Sequence, residues 1–210
     1  MKIIAMCNES LQCFADNMQE SLRRIGMQAH IYHLNDPPGE YGSQEFIDIC
    51  YRKLEILRIE LRDSESILYT DVDVVFRRDP RADLDQHLCD FDAVFQREEP
   101  GGLRQQGPHL WCAGFYAMRP TDATKRLVRP REHGERNRWP RLTDQGLIGT
   151  RLLTAPSIAR VDLLPPELYP SGWYQLHSTL RADRFICHYN WSVTLESKIA
   201  RMKAEGDWFL

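Results

Sequence analysis

The feature that most constrains this chain is a change of apolar rhythm that repeats before residue 76. Residues 2–7 are an apolar run that reads as a buried strand. Leu11, Phe14, Ala15, Met18, Leu22 and Ile25 then recur at helical spacing, and Gly26 is placed to end that helix. Residues 28–34 read as a second strand, closed by the turn signal Asn35-Asp36-Pro37-Pro38-Gly39. A second helix over 44–62 turns Phe46, Ile49, Cys50, Leu54, Leu57 and Leu61 inward. Residues 66–70 and 73–76 form a third strand region broken by a carboxylate pair, and Asp92-Ala93-Val94-Phe95 a fourth. Strands alternating with helices in this order imply an α/β fold with a mostly parallel central sheet flanked by helices. In such sheets ligands gather at the carboxyl ends of the strands, and Asp71 and Asp73 stand at such an end.

The second half is less regular. It predicts a strand at about 109–118, helices near 121–129 and 143–153, short strands near 158–164 and 184–189, and a last helix at 194–205. Leu195, Ile199 and Met202 give that helix an apolar stripe, and Trp208 and Phe209 are placed to anchor its end. Two loops stand out. Residues 97–108 carry Pro100-Gly101-Gly102 and Gly107-Pro108, a connection fit to lie beside a site. Residues 129–141 hold Arg129, Arg131, Arg136, Arg138 and Arg141 among Glu132 and Glu135, either a solvated surface loop or a cover over an acceptor. No internal repeat or low-complexity tract divides the chain, so residues 1–210 are expected to form a single domain.

Composition narrows the function. A net charge of −3 carries no electrostatic bias toward nucleic acid or an anionic membrane. The apolar start Met1–Met6 is too short for a secretion signal, and no window approaches the roughly 18–20 apolar residues of a membrane span. Either a membrane tether has been left out of this chain or the protein works in a cytosol; the expected location is cytoplasmic, in a bacterium or a large virus, and in the host cytoplasm if viral. The six cysteines, at 7, 13, 50, 89, 112 and 187, follow no zinc spacing and are expected to be reduced core residues.

The chemistry centres on Ile67-Leu68-Tyr69-Thr70-Asp71-Val72-Asp73-Val74-Val75-Phe76. In extended chain residues i and i+2 point to one side, so Asp71 and Asp73 can face one cation, which would remove their mutual repulsion. The plain alternative is a pair of exposed turn carboxylates near Arg77 and Arg78. A second alternative is a haloacid-dehalogenase-type phosphatase, with Asp71 as nucleophile and Asp73 as acid/base. Against it, a whole β-α-β-α unit precedes the motif, and no later apolar strand ends in paired acids. The glycine and terminal Glu of a calcium loop are missing.

Around this pair the sequence sets Arg52-Lys53-Leu54 upstream. Trp111-Cys112-Ala113-Gly114-Phe115-Tyr116, Asp144-Gln145-Gly146-Leu147 and His188-Tyr189-Asn190 lie downstream, with Lys198 ten residues beyond His188. From residue 2 to about 208 this order resembles the GT-A glycosyltransferases of the nucleotide-diphospho-sugar transferase group. It is most similar to the branch of plant cell-wall xylosyl- and arabinosyltransferases, and related to the glycogenin-like and bacterial galactosyltransferase branch. The resemblance implies a single GT-A, Rossmann-like domain moving a sugar from a nucleotide-diphosphate donor, UDP-linked, to an acceptor hydroxyl of a glycan or glycoprotein, with retention of configuration. It implies Asp71, Asp73 and His188 as metal ligands, with Mn²⁺ as the ion and Mg²⁺ as the alternative. It implies Asn8 near the nucleoside, Lys53 reaching the donor, Asp71, Asn190 and Lys198 on the donor side, and Ala113 and Gly114 packed against the donor sugar. Asp144 and Gln145 would lie beside the sugar in the catalytic position. Relatives often carry Asn where this chain has Cys112, and many carry Gly between the late His and Lys. Taken alone, His188 could be a core histidine and Asp144 a helix cap beside Thr143. A degenerate nucleotide-sugar-binding module is the non-enzymatic alternative, and one half of a larger enzyme whose acceptor site lies elsewhere is another.

Overall fold

A computed structural model describes residues 1–35, 42–98, 110–132, 134–135, 142–192 and 194–210. In chain order the described elements are β1 (Lys2–Asn8), α1 (Gln12–Arg24), β2 (His30–Leu34), α2 (Gln44–Asp63), β3 (Ile67–Thr70), β4 (Val74–Phe76), α3 (Arg81–Asp90), β5 (Ala93–Arg97) and β6 (Trp111–Met118). They continue with α4 (Asp122–Leu127), α5 (Asp144–Thr154), β7 (Val161–Leu163), α6 (Gly172–His177), β8 (Ile186–His188) and α7 (Leu195–Ala204).

Among the described residues the main sheet has the order β2-β1-β3-β6-β5-β7. β1 runs parallel to β2 and β3, β5 runs parallel to β7, and β6 is antiparallel to both β3 and β5. The sheet is thus mostly parallel, as the strand–helix alternation requires, with β6 the reversed strand. Side-chain alternation along the strands feeds two cores. Ile3, Ala5, Cys7 and Leu68 pack on one face, against Phe14, Met18 and Leu22 of α1. Ile4, Met6, Ile67 and Tyr69 pack on the other, against Leu54, Leu57 and Leu61 of α2 and Leu147, Ile148 and Leu152 of α5. This two-sided burial is why the strands are apolar at nearly every position.

Local signals explain most boundaries. Gly26 takes φ of +73° and closes α1, with the Met27 amide donating to Leu22. Ser43 caps α2 by accepting from the Phe46 amide, and Thr143 caps α5 by accepting from the Gly146 amide. Asp144 is therefore the first residue inside its helix rather than the cap. Thr194 and Ser197 form a reciprocal capping box at the start of α7.

The structure departs from sequence expectation at several points. α3 and α6 were not legible as helices: α3 buries only Leu84 and Leu88 and follows Asp79-Pro80, which looks like a turn. The strand expected from 28 begins at His30 and that expected over 158–164 contracts to Val161–Leu163. The last helix docks through Met202, fully buried, with Ile199 partly buried, whereas Leu195 at its first turn is exposed and leaves the predicted stripe. Trp208 and Phe209 do anchor the end, Trp208 meeting the edge of Phe14 and Phe209 lying under Arg24. All six cysteines are free, but Cys89 is exposed rather than a core residue. Most of the 97–108 loop and residues 136–141 of the basic loop, with Arg136, Arg138 and Arg141, fall outside the described residues.

Candidate active site

β3 ends at Thr70, and the Asp71 amide donates to Gly114 O at 2.7 Å, the last tie to β6. Residues 71–73 then form a turn, closed by the Val74 amide on Asp71 O at 3.3 Å, with Val72 buried. The expected extended geometry for Asp-x-Asp is therefore corrected: the two carboxylates converge through a turn. The cause is β4, which leaves the main sheet and pairs antiparallel with β8, setting Val74 opposite His188. The Tyr189 amide donates to Asp73 O at 3.0 Å and fastens that junction. A motif near residue 72 and a histidine more than a hundred residues later thus share one corner.

Asp71, Asp73 and His188 each offer a ligand atom, all within 4.8 Å of one another. His188 is fully buried, and its Nε2 stands 3.2 Å from Asp73 Oδ1, an ion pair when the ring is protonated, with no other polar partner among the described residues. Space for an ion is kept by Gly114, where a Cβ would lie 2.4 Å from His188 Cε1 and 2.6 Å from Asp71 Oδ2. Two carboxylates, an imidazole whose Nε2 has only a carboxylate beside it and a glycine that holds them apart fit a divalent cation. Lys198 Nζ contacts Asp73 Oδ2 at 2.6 Å. Burial pushes the Asp73 carboxyl up, and the Lys198 and His188 charges more than reverse this, holding it well below the usual carboxylate range.

Behind Asp71 lies a second ionic group. Lys53, buried in α2, places Nζ 2.8 Å from Asp144 Oδ2, 3.4 Å from Asp71 Oδ1 and 2.9 Å from Ala113 O. Burial lowers the Lys53 pKa and the Asp144 and Asp71 charges raise it further, so the ammonium stays charged. Tyr69 Oη donates to the same Asp71 oxygen at 2.9 Å. Gln145 Oε1 accepts from the Ala113 amide at 3.2 Å. Lys53, Asp71, Ala113, Gly114, Asp144 and Gln145 are thereby one connected cluster. Asn190 lies on the other flank, accepting from the Gly172 amide at 2.7 Å and donating to Glu98 Oε1 at 2.9 Å. Asn8 stands at the carboxyl end of β1, its Oδ1 accepting from Ser10 at 2.8 Å; it shares the strand-end edge of Asp71 without a side-chain contact to the cluster among those described.

Two neighbours, Glu98 and Gln96, were missed by sequence reasoning, and a third, Cys112, was noted only as standing where relatives carry Asn. Glu98 receives both Asn190 and the Trp191 indole N–H, the latter at 2.7 Å. Cys112 brings its thiol to 3.8 Å from His188 Nδ1. Gln96, fully buried, lies 2.7 Å from that same nitrogen. A polar residue closing the apolar strand 93–95 was the available signal for Gln96.

Comparison with known proteins agrees with this construction. Residues 14–202 match the family model of the nucleotide-diphospho-sugar transferases. A UDP-galactose:fucoside α-3-galactosyltransferase of Dictyostelium discoideum is 25% identical over 232 residues, covering 99% of this chain and 34% of that protein. A UDP-D-xylose:L-fucose α-1,3-D-xylosyltransferase of Arabidopsis thaliana is 23% identical over 193 residues, covering 81% of this chain and 50% of that protein. The chain thus spans between a third and a half of the length of these curated relatives. Among solved structures, the galactosyltransferase LgtC superposes with a TM-score of 0.62 at 14% identity, covering 99% and 95% of the two chains. A glycosyltransferase involved in glycosylation of the major capsid of PBCV-1 gives 0.60 at 15% identity, covering 97% and 100%. The match leaves the phosphatase alternative without support. Matched from Phe14 to Met202, and folded like these enzymes, the chain belongs to the nucleotide-diphospho-sugar transferase family of GT-A glycosyltransferases.

Proposed function

We propose that this chain transfers a sugar from a UDP-linked donor to a saccharide hydroxyl, with a divalent ion, Mn²⁺ before Mg²⁺, held by Asp71, Asp73 and His188. The observation that carries the reading is the convergence of these three groups, with Lys198, from opposite ends of the chain. An imidazole beside two carboxylates suits Mn²⁺ better than Mg²⁺, which favours all-oxygen shells. The ion would offset the charge of the leaving diphosphate. Lys198, on the same side, is placed to add a second cation where negative charge grows as the donor bond breaks.

The other residues take positioning roles. Lys53 sets one ammonium between Asp71 and Asp144 and so holds the two side chains in place. Gln145 holds the Ala113 amide and so the Ala113-Gly114 segment that would lie against the donor sugar. Asp144, beside it, is assigned to the sugar or the incoming hydroxyl. Asn190 is assigned to the donor through its place next to His188, and Asn8 to the nucleoside through its place at the end of β1. Both curated relatives use UDP-sugars, act on fucose or fucosides and are named for α-linkages. These names support UDP, a fucoside as the first acceptor to try, and retention of configuration. The activity as a single domain, and a cytoplasmic location in a bacterium or in the host of a large virus, belong to the same proposal.

The test is a thermal-shift panel of UDP-, GDP- and dTDP-sugars with Mn²⁺ or with EDTA. UDP should raise the melting temperature in Mn²⁺ and do little in EDTA, because a ligand of the folded state stabilises it by mass action. Asp73→Asn should lose most of that shift. Transfer at the parent rate in EDTA would overturn the metal assignment. Metal-dependent UDP binding with no transfer to any glycoside would leave the binding module as the correct reading.

A further inference from the structure

Gln96 lies where the β5–β6 pairing goes out of register. Phe95 pairs with Tyr116 and Arg97 with Trp111, so two residues of β5 span five of β6. Between those pairs Gln96 alone stands against Cys112–Phe115, an excess of three residues on β6 in the stretch that carries Ala113 and Gly114 over the site. Such irregularities re-aim side chains, and here Gln96 is turned into the buried wall behind His188. Its Nε2 donates to Tyr169 O at 3.1 Å, and its Oε1 lies 2.7 Å from His188 Nδ1.

Those two contacts determine each other. A peptide carbonyl only accepts, so the Gln96 amide nitrogen must face Tyr169 and the amide oxygen must face the imidazole. An oxygen at 2.7 Å then requires Nδ1 to carry the proton. The other neighbour of Nδ1, the Cys112 sulfur at 3.8 Å, is already taken by the Gly114 amide. The backbone of His188 is held on both sides, its amide donating to Pro170 O at 3.2 Å and its carbonyl accepting from Gln175 at 2.5 Å. What remains is the ring, with Asp73 Oδ1 3.2 Å from Nε2 on the site side and Gln96 fixing both the torsion and the proton at Nδ1 on the other.

We infer that Gln96 is a positioning residue that keeps the proton on Nδ1 of His188 and thereby leaves Nε2 as the ring nitrogen that gives its lone pair to an ion between Asp71 and Asp73. A neutral imidazole with its other N–H anchored on an acceptor is the form that binds a metal ion. The inference rests on the metal reading above, and its consequence is that affinity for the ion depends on a residue that never touches it.

Two measurements test it. Long-range ¹H–¹⁵N correlation on the metal-free parent, with His188 assigned from His188→Gln, should show a proton on Nδ1 at every pH at which the protein is folded, whether or not Nε2 also carries one. The opposite tautomer overturns the inference whatever the metal result. Calorimetric titration with Mn²⁺ alone should show affinity reduced about 10–100-fold in Gln96→Leu. Gln96→Glu, whose protonated carboxyl can donate to Tyr169 O and still accept from Nδ1–H, should stay within a few-fold of the parent. Parent-like affinity in folded Gln96→Leu overturns the inference. A parent that binds no Mn²⁺ defeats the metal reading instead, and the tautomer measurement then still decides the role of Gln96. If the leucine variant does not fold, the parent spectrum decides.

Discussion

Gly114→Ala is the sharpest perturbation of this site, because it adds one methyl group between two of the three candidate ligands. The added carbon would start 2.4 Å from His188 Cε1, 2.6 Å from Asp71 Oδ2 and 3.0 Å from His188 Nε2. Ordinary van der Waals contact begins near 3.4 Å, so the imidazole must retreat by 3.4 − 2.4, about 1 Å. Nothing about the backbone opposes alanine, since Gly114 is not among the residues with positive φ. The obstruction is purely the added volume, and the neighbours cannot yield freely. The Asp71 amide is tied to Gly114 O at 2.7 Å, and His188 is clamped between β4 and Gln96. Overpacking of this kind costs about 1–3 kcal/mol of stability, which for a domain of this size lowers Tm by roughly 2–4 °C per kcal/mol. The effect on the ion should be larger, because ligand distances tolerate only about 0.2 Å. Thermal unfolding with and without Mn²⁺ and UDP separates the two effects. The variant should lose a few degrees without ligand and lose nearly all of the ligand-induced rise. Gly134→Ala, where a Cβ meets nothing within 4 Å, is the control and should behave as the parent. A Gly114→Ala protein that binds Mn²⁺ and UDP as tightly as the parent would refute the cradle.

Other variants divide the site by role. Lys198→Ala should weaken UDP binding about 10-fold or more while Mn²⁺ affinity is largely kept, read by titrating each in turn; a selective loss of Mn²⁺ would move Lys198 to the metal instead. Asp144→Asn should keep UDP binding and lose most transfer, and the isosteric change avoids leaving an empty space against buried Lys53; unchanged kcat would remove Asp144 from the catalytic group. Glu135 tests the fold rather than the site. Burial raises its carboxyl pKa, and the Arg151 hydrogen bond, with further help from the Glu132 amide and Arg129, more than reverses this, lowering it from 4.5 to about 2. A depressed folded pKa contributes stability that is fully present above the unfolded value and lost as pH falls toward the folded one. Glu135→Gln should therefore be about 1–2 kcal/mol less stable than the parent at pH 7, after allowance for solvent screening. The gap in denaturant midpoints should close between about pH 4.5 and pH 2; a gap constant across that window would show that the ion pair contributes nothing.

Much of this architecture was written in local order. The residues of β1, α1, α2 and β3 announce themselves because each must bury apolar side chains at its own period, 3.6 for a helix and near-continuous for a strand covered on both faces. Asp71 and Asp73 were legible for the same reason: two charges closing an apolar strand have to be compensated somewhere. Once the motif order was recognised, His188, Lys198, Asp144 and Gln145 could be named as partners. Local order failed where tertiary contacts outweigh it. α3 has two apolar side chains facing the core and little else to signal a helix. Leu195 has the right spacing for the core yet lies at the open end of α7.

What the sequence alone determined was the α/β class, the alternation of strands and helices along the chain and the candidate ligands, because these depend on neighbours within a few residues along the chain. What the tertiary structure decided was how those ligands meet. Asp-x-Asp converges through a turn and not through strand alternation, since β4 leaves the sheet to pair with β8. Lys53 is enclosed between Asp71 and Asp144, and Gln96 stands behind His188 from a strand 92 residues away. Contacts of that separation leave no periodic trace, because each is satisfied by a single side chain whose direction is set by strand register rather than by its neighbours in sequence.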